Sequence, residues 1–263
     1  DEKNGNSREL NKKVVLFDEM TMGQLMAGFP DLLGIPYQLM PVFLVSEIDQ
    51  LTCVPYIDAV ESFGLPADCC PVPSSECGAL VIDALPHMGK CFISSSMPCD
   101  GSTMASSYMS RRFPDLPVFH LCFPVRYEDE ETVQMGAEDI RACIKFIEEQ
   151  TGAKWSWDAY FASMKRFNEE TRYELEKWEV NKTPYPQIIG PTYELFRKWN
   201  YEMDGGIDPR IMKSCRKVNK LLMESYERRE EAWVGKMRYR GIVWSCPAHY
   251  YANFSNWLAN CWG

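Results

Sequence analysis

The stretch from Cys91 to Phe123 constrains the fold more than any other part of the chain. It opens with the apolar run Cys91-Phe92-Ile93, which Ser94-Ser95-Ser96-Met97-Pro98 interrupts. Cys99-Asp100-Gly101-Ser102 then leads into a helix predicted over Thr103 to Arg112, and a second apolar run from Leu116 to Phe123 is closed by Pro124. Strand, helix and strand in this span make a βαβ unit, which requires parallel pairing and a right-handed crossover. Both strands then end on the same edge of the sheet, where ligands bind in open α/β folds. The helix that starts there brings unsatisfied N–H groups and partial positive charge to that edge. Asp100 is placed to cap it. A thiolate at Cys99 would have a lowered pKa in that field and become a better metal ligand or nucleophile.

The rest of the chain extends this unit. Val14-Val15-Leu16-Phe17 reads as a buried strand, followed by a Met-rich helical stretch to Ala27, and Gly34-Ile35-Pro36 begins an extended piece running through Val42-Phe43-Leu44. Tyr56 to Phe63 fits an amphipathic helix stopped by Gly64-Leu65-Pro66. After Pro124 the pattern changes from short apolar runs to helical periodicity. Val133, Ala137, Ile140, Ile144 and Ile147 mark a helix over Glu130 to Gln150, with Gly152 beyond its end. Ser156 caps a longer helix carrying Tyr160, Phe161, Met164, Phe167, Leu175 and Trp178, broken at Thr183-Pro184-Tyr185-Pro186. Gly190-Pro191 starts a short helix, and Asp208-Pro209 starts another to about Trp233, with a stripe at Ile211, Cys215, Val218, Leu222 and Tyr226. Gly241 to Pro247 reads as the first strand of a further α/β unit, whose pairing partner is expected beyond Gly263. The expected organisation is a parallel βαβ sheet domain over 1–125, a mainly helical segment over 126–238 and the start of a second α/β domain over 239–263. The tail from Trp244, with its three tryptophans, is expected to be buried against a further domain or another chain.

Composition narrows the function. At 263 residues and 46% hydrophobic content the chain can bury a real core. A net charge of −9 without a basic stripe argues against nucleic acid as a partner. No apolar run approaches the ~18 residues a membrane span needs, and the polar start, DEKNGNSRELNKK, has no signal-peptide core. Eleven cysteines without such a signal suit reduced thiols in a cytoplasm.

Those cysteines are the candidate chemistry. No C-x-x-C occurs, so the usual zinc-knuckle and ferredoxin spacings are absent. Cys53, Cys122, Cys143 and Cys215 lie in apolar contexts and read as core residues, with Cys69, Cys77 and Cys91 between the two classes. Cys70 and Cys99 each stand ahead of a helix start; from spacing alone they read either as buried small apolar residues or as ligands. His87, His120 and His249 are too far apart to form a recognisable triad, and no nucleotide-binding glycine motif is present. Arg111, Arg112 and Arg126 read as surface charges, and the acidic run at Glu128 to Glu131 as a solvated helix start.

Tyr56-Ile57-Asp58-Ala59-Val60-Glu61-Ser62-Phe63-Gly64 followed by Asp68-Cys69-Cys70, together with Ser96-Met97-Pro98-Cys99-Asp100 ahead of a helix, resembles the 2-hydroxyacyl-CoA dehydratase / benzoyl-CoA reductase family. PVFHLCFPVRYEDEETV, IEEQTG, Pro184-Tyr185-Pro186 and Gly190 fit the same family in order and spacing, from about Val14 to Gly263. The likeness is greatest to the iron–sulfur subunits of the dehydratase component. The resemblance implies a hydro-lyase subunit holding a [4Fe–4S] cluster through three cysteines, with the first ligand on Cys70 and the second on Cys99. The third falls outside this chain, since neither Cys246 nor Cys261 matches it. Relatives place serines past the first strand; here Thr21 is the only hydroxyl in that loop. The implied reaction removes water from an (R)-2-hydroxyacyl-CoA through a ketyl radical anion to give the 2-enoyl-CoA, in anaerobic amino-acid fermentation. The implied partners are a homologous second subunit, an ATP-dependent activator reductase and the acyl-CoA substrate. Within the same resemblance stand a benzoyl-CoA reductase-type or electron-transfer relative, and a non-catalytic partner subunit without a cluster.

Overall fold

The structure, a computed structural model, describes residues 13–18, 23–38, 53–84, 89–96, 100–124, 128–187 and 206–231. The chain divides into two units, 1–159 and 160–263.

The first unit is built on four parallel strands: β1 (Lys13–Phe17), β2 (Leu32–Pro36), β3 (Gly89–Ser95) and β4 (Val118–Leu121), in the order β2-β1-β3-β4. The βαβ expectation holds: Phe92 pairs with Val118, Ile93 with Phe119 and Ser94 with His120, all in parallel register. Side-chain alternation splits the sheet into two apolar faces. Val15, Phe17, Cys91, Ile93 and Leu121 pack against the short helix α1 (Gly23–Met26), Phe29 and the long helix α5 (Glu130–Thr151). Val14, Leu16 and Phe92 pack on the opposite face against α3 (Pro71–Val81) and α4 (Asp100–Arg112). With helices on both faces, the centres of β1 and β3 are continuous apolar runs, Val14 to Phe17 and Cys91 to Ile93.

Local chemistry sets most boundaries. Helix α2 (Val54–Ser62) stops where Gly64 takes a φ of +101°. It meets α3 so closely that a Cβ on Gly78 would lie 1.8 Å from the Tyr56 carbonyl oxygen. Asp129 caps α5 by accepting the Thr132 N–H at 2.8 Å, and that bond holds its carboxyl below the usual range. Gly152 ends α5 in the left-handed region. Asp100 lies inside the first turn of α4, where its charge suits the helix dipole, one position later than a cap. The expected apolar stripe of α5 holds from Ile140 on: Ile147 is buried and Ile140 and Ile144 pack against the same core, and only its first member departs. Gly136, Cys143, Ile147 and Thr151 are buried while Val133 faces solvent, because the packed face is set by β3 and β4.

Helix α6 (Trp157–Asn181) is capped as expected, with Ser156 Oγ accepting the Ala159 N–H at 3.2 Å. In the second unit it buries the polar side chains Ser163, Glu170 and Lys177, whereas Phe161, Leu175 and Trp178 are exposed. The expected apolar stripe is thus not the buried one. Lys177 is paired with Glu174, which makes its burial tolerable. Helix α7 (Pro209–Glu227) starts at the Asp208 cap and buries Met212, Cys215 and Leu222, close to its expected stripe. The extended piece at Val42 to Leu44, the helix at Gly190-Pro191 and residues 239–263 lie outside the described residues. None of the described helices is long and apolar enough to cross a membrane.

Candidate functional site

In the order β2-β1-β3-β4 the chain leaves β1 to one side and returns on the other, so the topological switch lies between β1 and β3. Asp18, the first residue past β1, closes that junction. Its N–H donates to the Ile93 carbonyl at 3.1 Å and its Oδ2 accepts the Ser95 N–H at 2.6 Å. A carboxylate accepting a backbone N–H makes about twice the bond a neutral group would. The serine run that interrupts β3 continues the stitching. The Ser96 N–H donates to the Leu121 carbonyl, and the Phe123 N–H donates to Ser96 Oγ, each at 3.0 Å. Ser94 Oγ is buried without a hydrogen-bond partner among the described residues.

Two helices begin at this carboxyl edge. α4 follows β3 directly, and α3 ends shortly before β3 begins, so both run from the carboxyl edge toward the amino edge. Cys70 is the N-cap residue of α3, with an extended backbone (φ −58°, ψ 129°) and Pro71 at the first helical position. Its carbonyl accepts the Ser74 N–H at 3.2 Å and Ser74 Oγ at 2.8 Å, which orders the first turn. Deeper along α3, Glu76 is fully buried and accepts from Gln38 Nε2 at 2.9 Å. Gln38 Oε1 in turn accepts from Ser102 Oγ, in the first turn of α4, at 3.3 Å.

Burial sorts the eight described cysteines. Cys77, Cys91 and Cys143 have thiols pushed up to about 12 by burial, and Cys215 to about 11, with Cys53 raised for the same reason. Such thiols are poor ligands because the thiolate is the ligating form. Cys70 is exposed and Cys69 half-buried, so these two can present sulfur at the start of α3. Cys122 is exposed as well, which corrects its reading as a core residue. It follows the buried Leu121 at the end of β4, so alternation turns it away from the core, and its N–H is taken by Asp139 Oδ2 at 2.6 Å.

An iron–sulfur cluster takes thiolate ligands. Cys70 fits that requirement by exposure and by its place at a helix N-terminus, and the five buried cysteines do not. Cys99 and Thr21 lie outside the described residues. Among the described residues no three His, Cys, Asp or Glu side chains converge to hold a metal ion. Sequence reasoning passed over Asp18, Gln38 and Glu76. Asp18 directly after an apolar strand and Glu76 inside PVPSSECGALV were the available signals, since a charge in an apolar setting requires a partner.

A family model described as 2-hydroxyglutaryl-CoA dehydratase, D-component (HGD-D), matches residues 51–263. The match takes in everything from α2 onward and leaves β1, β2 and Gln38 ahead of it. No curated protein matches the chain.

Proposed function

The chain belongs to the 2-hydroxyglutaryl-CoA dehydratase D-component family, and from that premise we propose that it is the cluster-bearing subunit of a dehydratase acting on an (R)-2-hydroxyacyl-CoA. Membership carries the coarse statement, a component of a dehydratase and hence of a hydro-lyase. The finer reading assigns Cys70 and Cys99 as two thiolate ligands of a [4Fe–4S] cluster and Thr21 as a hydroxyl facing the substrate. The observation that supports it best is the contrast among the thiols: Cys70 is exposed at a helix start on the carboxyl edge, whereas five others are buried with raised pKa.

The chain's own part in the chemistry follows from where these groups stand. The free N–H groups in the first turn of α3, whose N-cap is Cys70, stabilise a thiolate and the net negative charge of a thiolate-ligated centre. Asp18 ties the end of β1 to Ser95 of β3, and Ser96 ties the next residue to Phe123 past β4, which fixes these strand ends relative to one another. When bound, the cluster would supply an iron able to act as a Lewis acid and a one-electron route, which loss of an unactivated β-proton requires. A homologous second subunit and an ATP-dependent activator reductase complete the proposed system in a reducing cytoplasm.

Anaerobic iron and sulfide analysis with visible absorption tests the assignment. The expected result, on a chain that also carries the third ligand, is about four irons per chain after reconstitution in the presence of the partner subunit. Cys70→Ser and Cys99→Ser should lose that iron while Cys143→Ala retains it. Full iron in Cys70→Ser overturns the ligand assignment, and no iron in the wild-type complex favours the cluster-free partner reading. A panel of 2-hydroxyacyl and aromatic CoA thioesters separates dehydration from ring reduction.

A further inference from the structure

A cavity of about 330 Å³ lies at the amino edge of the sheet, where α4 gives way to β4. Its buried wall is Leu16, Tyr37 and Met109, and its rim carries Arg112, Phe113 and Asp115. That volume is near the lower end of ligand pockets and suits a single substituted ring. Tyr37 is the polar group of the buried wall. Its ring packs among Ala79, Leu80 and Met109, while its hydroxyl is buried without a hydrogen-bond partner among the described residues. A buried hydroxyl left unmet costs free energy, and the cavity beside the ring is where a partner can stand. Burial, with the negative charges of Glu76 and Asp83 added, raises the Tyr37 pKa, so the group keeps its proton and offers a donor. At the rim the cation is already matched. Arg112 Nη2 donates to both Asp83 carboxylate oxygens, at 3.0 and 3.1 Å, and the guanidinium lies 5.2 Å from the centre of the Phe113 ring. Asp115 is exposed and makes no ion pair among the described residues, so the rim is negative on balance. It repels a carboxylate ligand and gives an acceptor to an N–H. Leu16 and Tyr37 stand ahead of the residues that the family model matches, so this wall lies outside that match.

We propose that this cavity binds a small uncharged aromatic amide, with its ring against Leu16 and Met109, its carbonyl accepting from the Tyr37 hydroxyl and its N–H groups toward Asp115. A purely apolar ligand would leave the Tyr37 hydroxyl unmet, and a carboxylate would meet the negative rim. A rigid ring fills the apolar wall with little conformational freedom to lose. The proposal uses neither Cys70 nor Cys99 and stands apart from the cluster assignment.

Benzamide is the probe, with benzoate as its anionic isostere. The full chain is labelled with carbon-13 at its methionine methyls, and the Met109 signal is identified by Met109→Leu. Benzamide should shift that signal through its ring current, half-saturating at about millimolar concentration, as befits so small a molecule. Met26, buried on the opposite face of the sheet, should not move. Tyr37→Phe keeps the ring and should weaken benzamide about five- to tenfold, the size expected for one buried hydrogen bond. Its melting temperature should be unchanged or higher, since the hydroxyl has no bond to lose. Benzoate should bind at least about threefold more weakly than benzamide, and Asp115→Asn should close that gap. A titration with benzamide that leaves Met109 in place overturns the site. Equal affinity in the parent and Tyr37→Phe overturns the role of the hydroxyl and the amide class with it, as does benzoate binding as tightly as benzamide. If Tyr37→Phe does not fold, the comparison of benzamide with benzoate in the parent and Asp115→Asn decides.

Discussion

Glu170 offers a measurement whose size follows from the structure. It sits on α6 with 0% exposure, and its Oε2 accepts the Gly206 N–H at 2.9 Å. The Gly206 carbonyl accepts from Arg166 Nε at 2.7 Å, so two side chains one helical turn apart clasp both backbone groups of a single residue. Gly206 itself has a φ of +72°, and a Cβ there would lie 2.4 Å from the Ser163 carbonyl oxygen. Burial pushes the Glu170 carboxyl up from 4.5 to about 7; the Gly206 N–H and Arg166 pull it down, and Glu169 and Glu174 add to the rise. The folded state therefore holds a proton that the unfolded chain releases near 4.5. Stability from this group is full below pH 4.5 and is lost as pH rises to about 7, at roughly 1.4 kcal/mol per pH unit. Over that window the loss amounts to about 3 kcal/mol. Glu170→Gln keeps an acceptor for Gly206 and removes the ionisation. It should match the wild type at pH 4.5 and exceed it by up to about 3 kcal/mol at pH 8, measured by urea unfolding followed through tryptophan emission and circular dichroism. Other titrating groups cancel in the difference between the two proteins. A constant difference across pH, or a less stable Gln variant at pH 8, would refute the argument.

Three further outcomes are expected. Gly78→Ala should cost at least about 2 kcal/mol and lower the melting temperature by several degrees, because the clash is with the Tyr56 backbone, which has no rotamer to yield. Asp18→Ala should cost about 2 kcal/mol in denaturant unfolding, since it removes the charge-assisted bond between the Asp18 carboxylate and the Ser95 N–H. Timed alkylation of the native chain, read by mass spectrometry, should label Cys70 and Cys122 first among the described cysteines, with Cys77, Cys91 and Cys143 reacting only after denaturant is added.

What could be read from the sequence depended on how local its cause was. The βαβ unit was legible because the Cys91-Phe92-Ile93 run, the helix and the second run lie in one continuous stretch, and chirality leaves a single way to join them. The helix starts at Ser156 and Asp208 were legible for the same reason, as each bonds within three residues, whereas the Asp129 cap was read only as part of a solvated acidic run. The order β2-β1-β3-β4 was not legible, because it depends on which side of β1 each crossover falls. Helix faces failed where a polar partner outranked hydrophobicity. On α6 the buried line is Ser163, Glu170 and Lys177, because Gly206 and Glu174 satisfy Glu170 and Lys177, while the aromatic residues that mark a core in sequence face outward. The candidate site divides along the same line. Cys70 could be picked from its place before Pro71, a local helix-start signal, but its exposure relative to Cys77 one turn and more away is a tertiary fact. Gln38 had no signal, for its meaning comes from Glu76 and Ser102, 38 and 64 positions away. A polar residue of this kind is specified by the two helices it joins, so its role follows only once both helix starts stand on one edge.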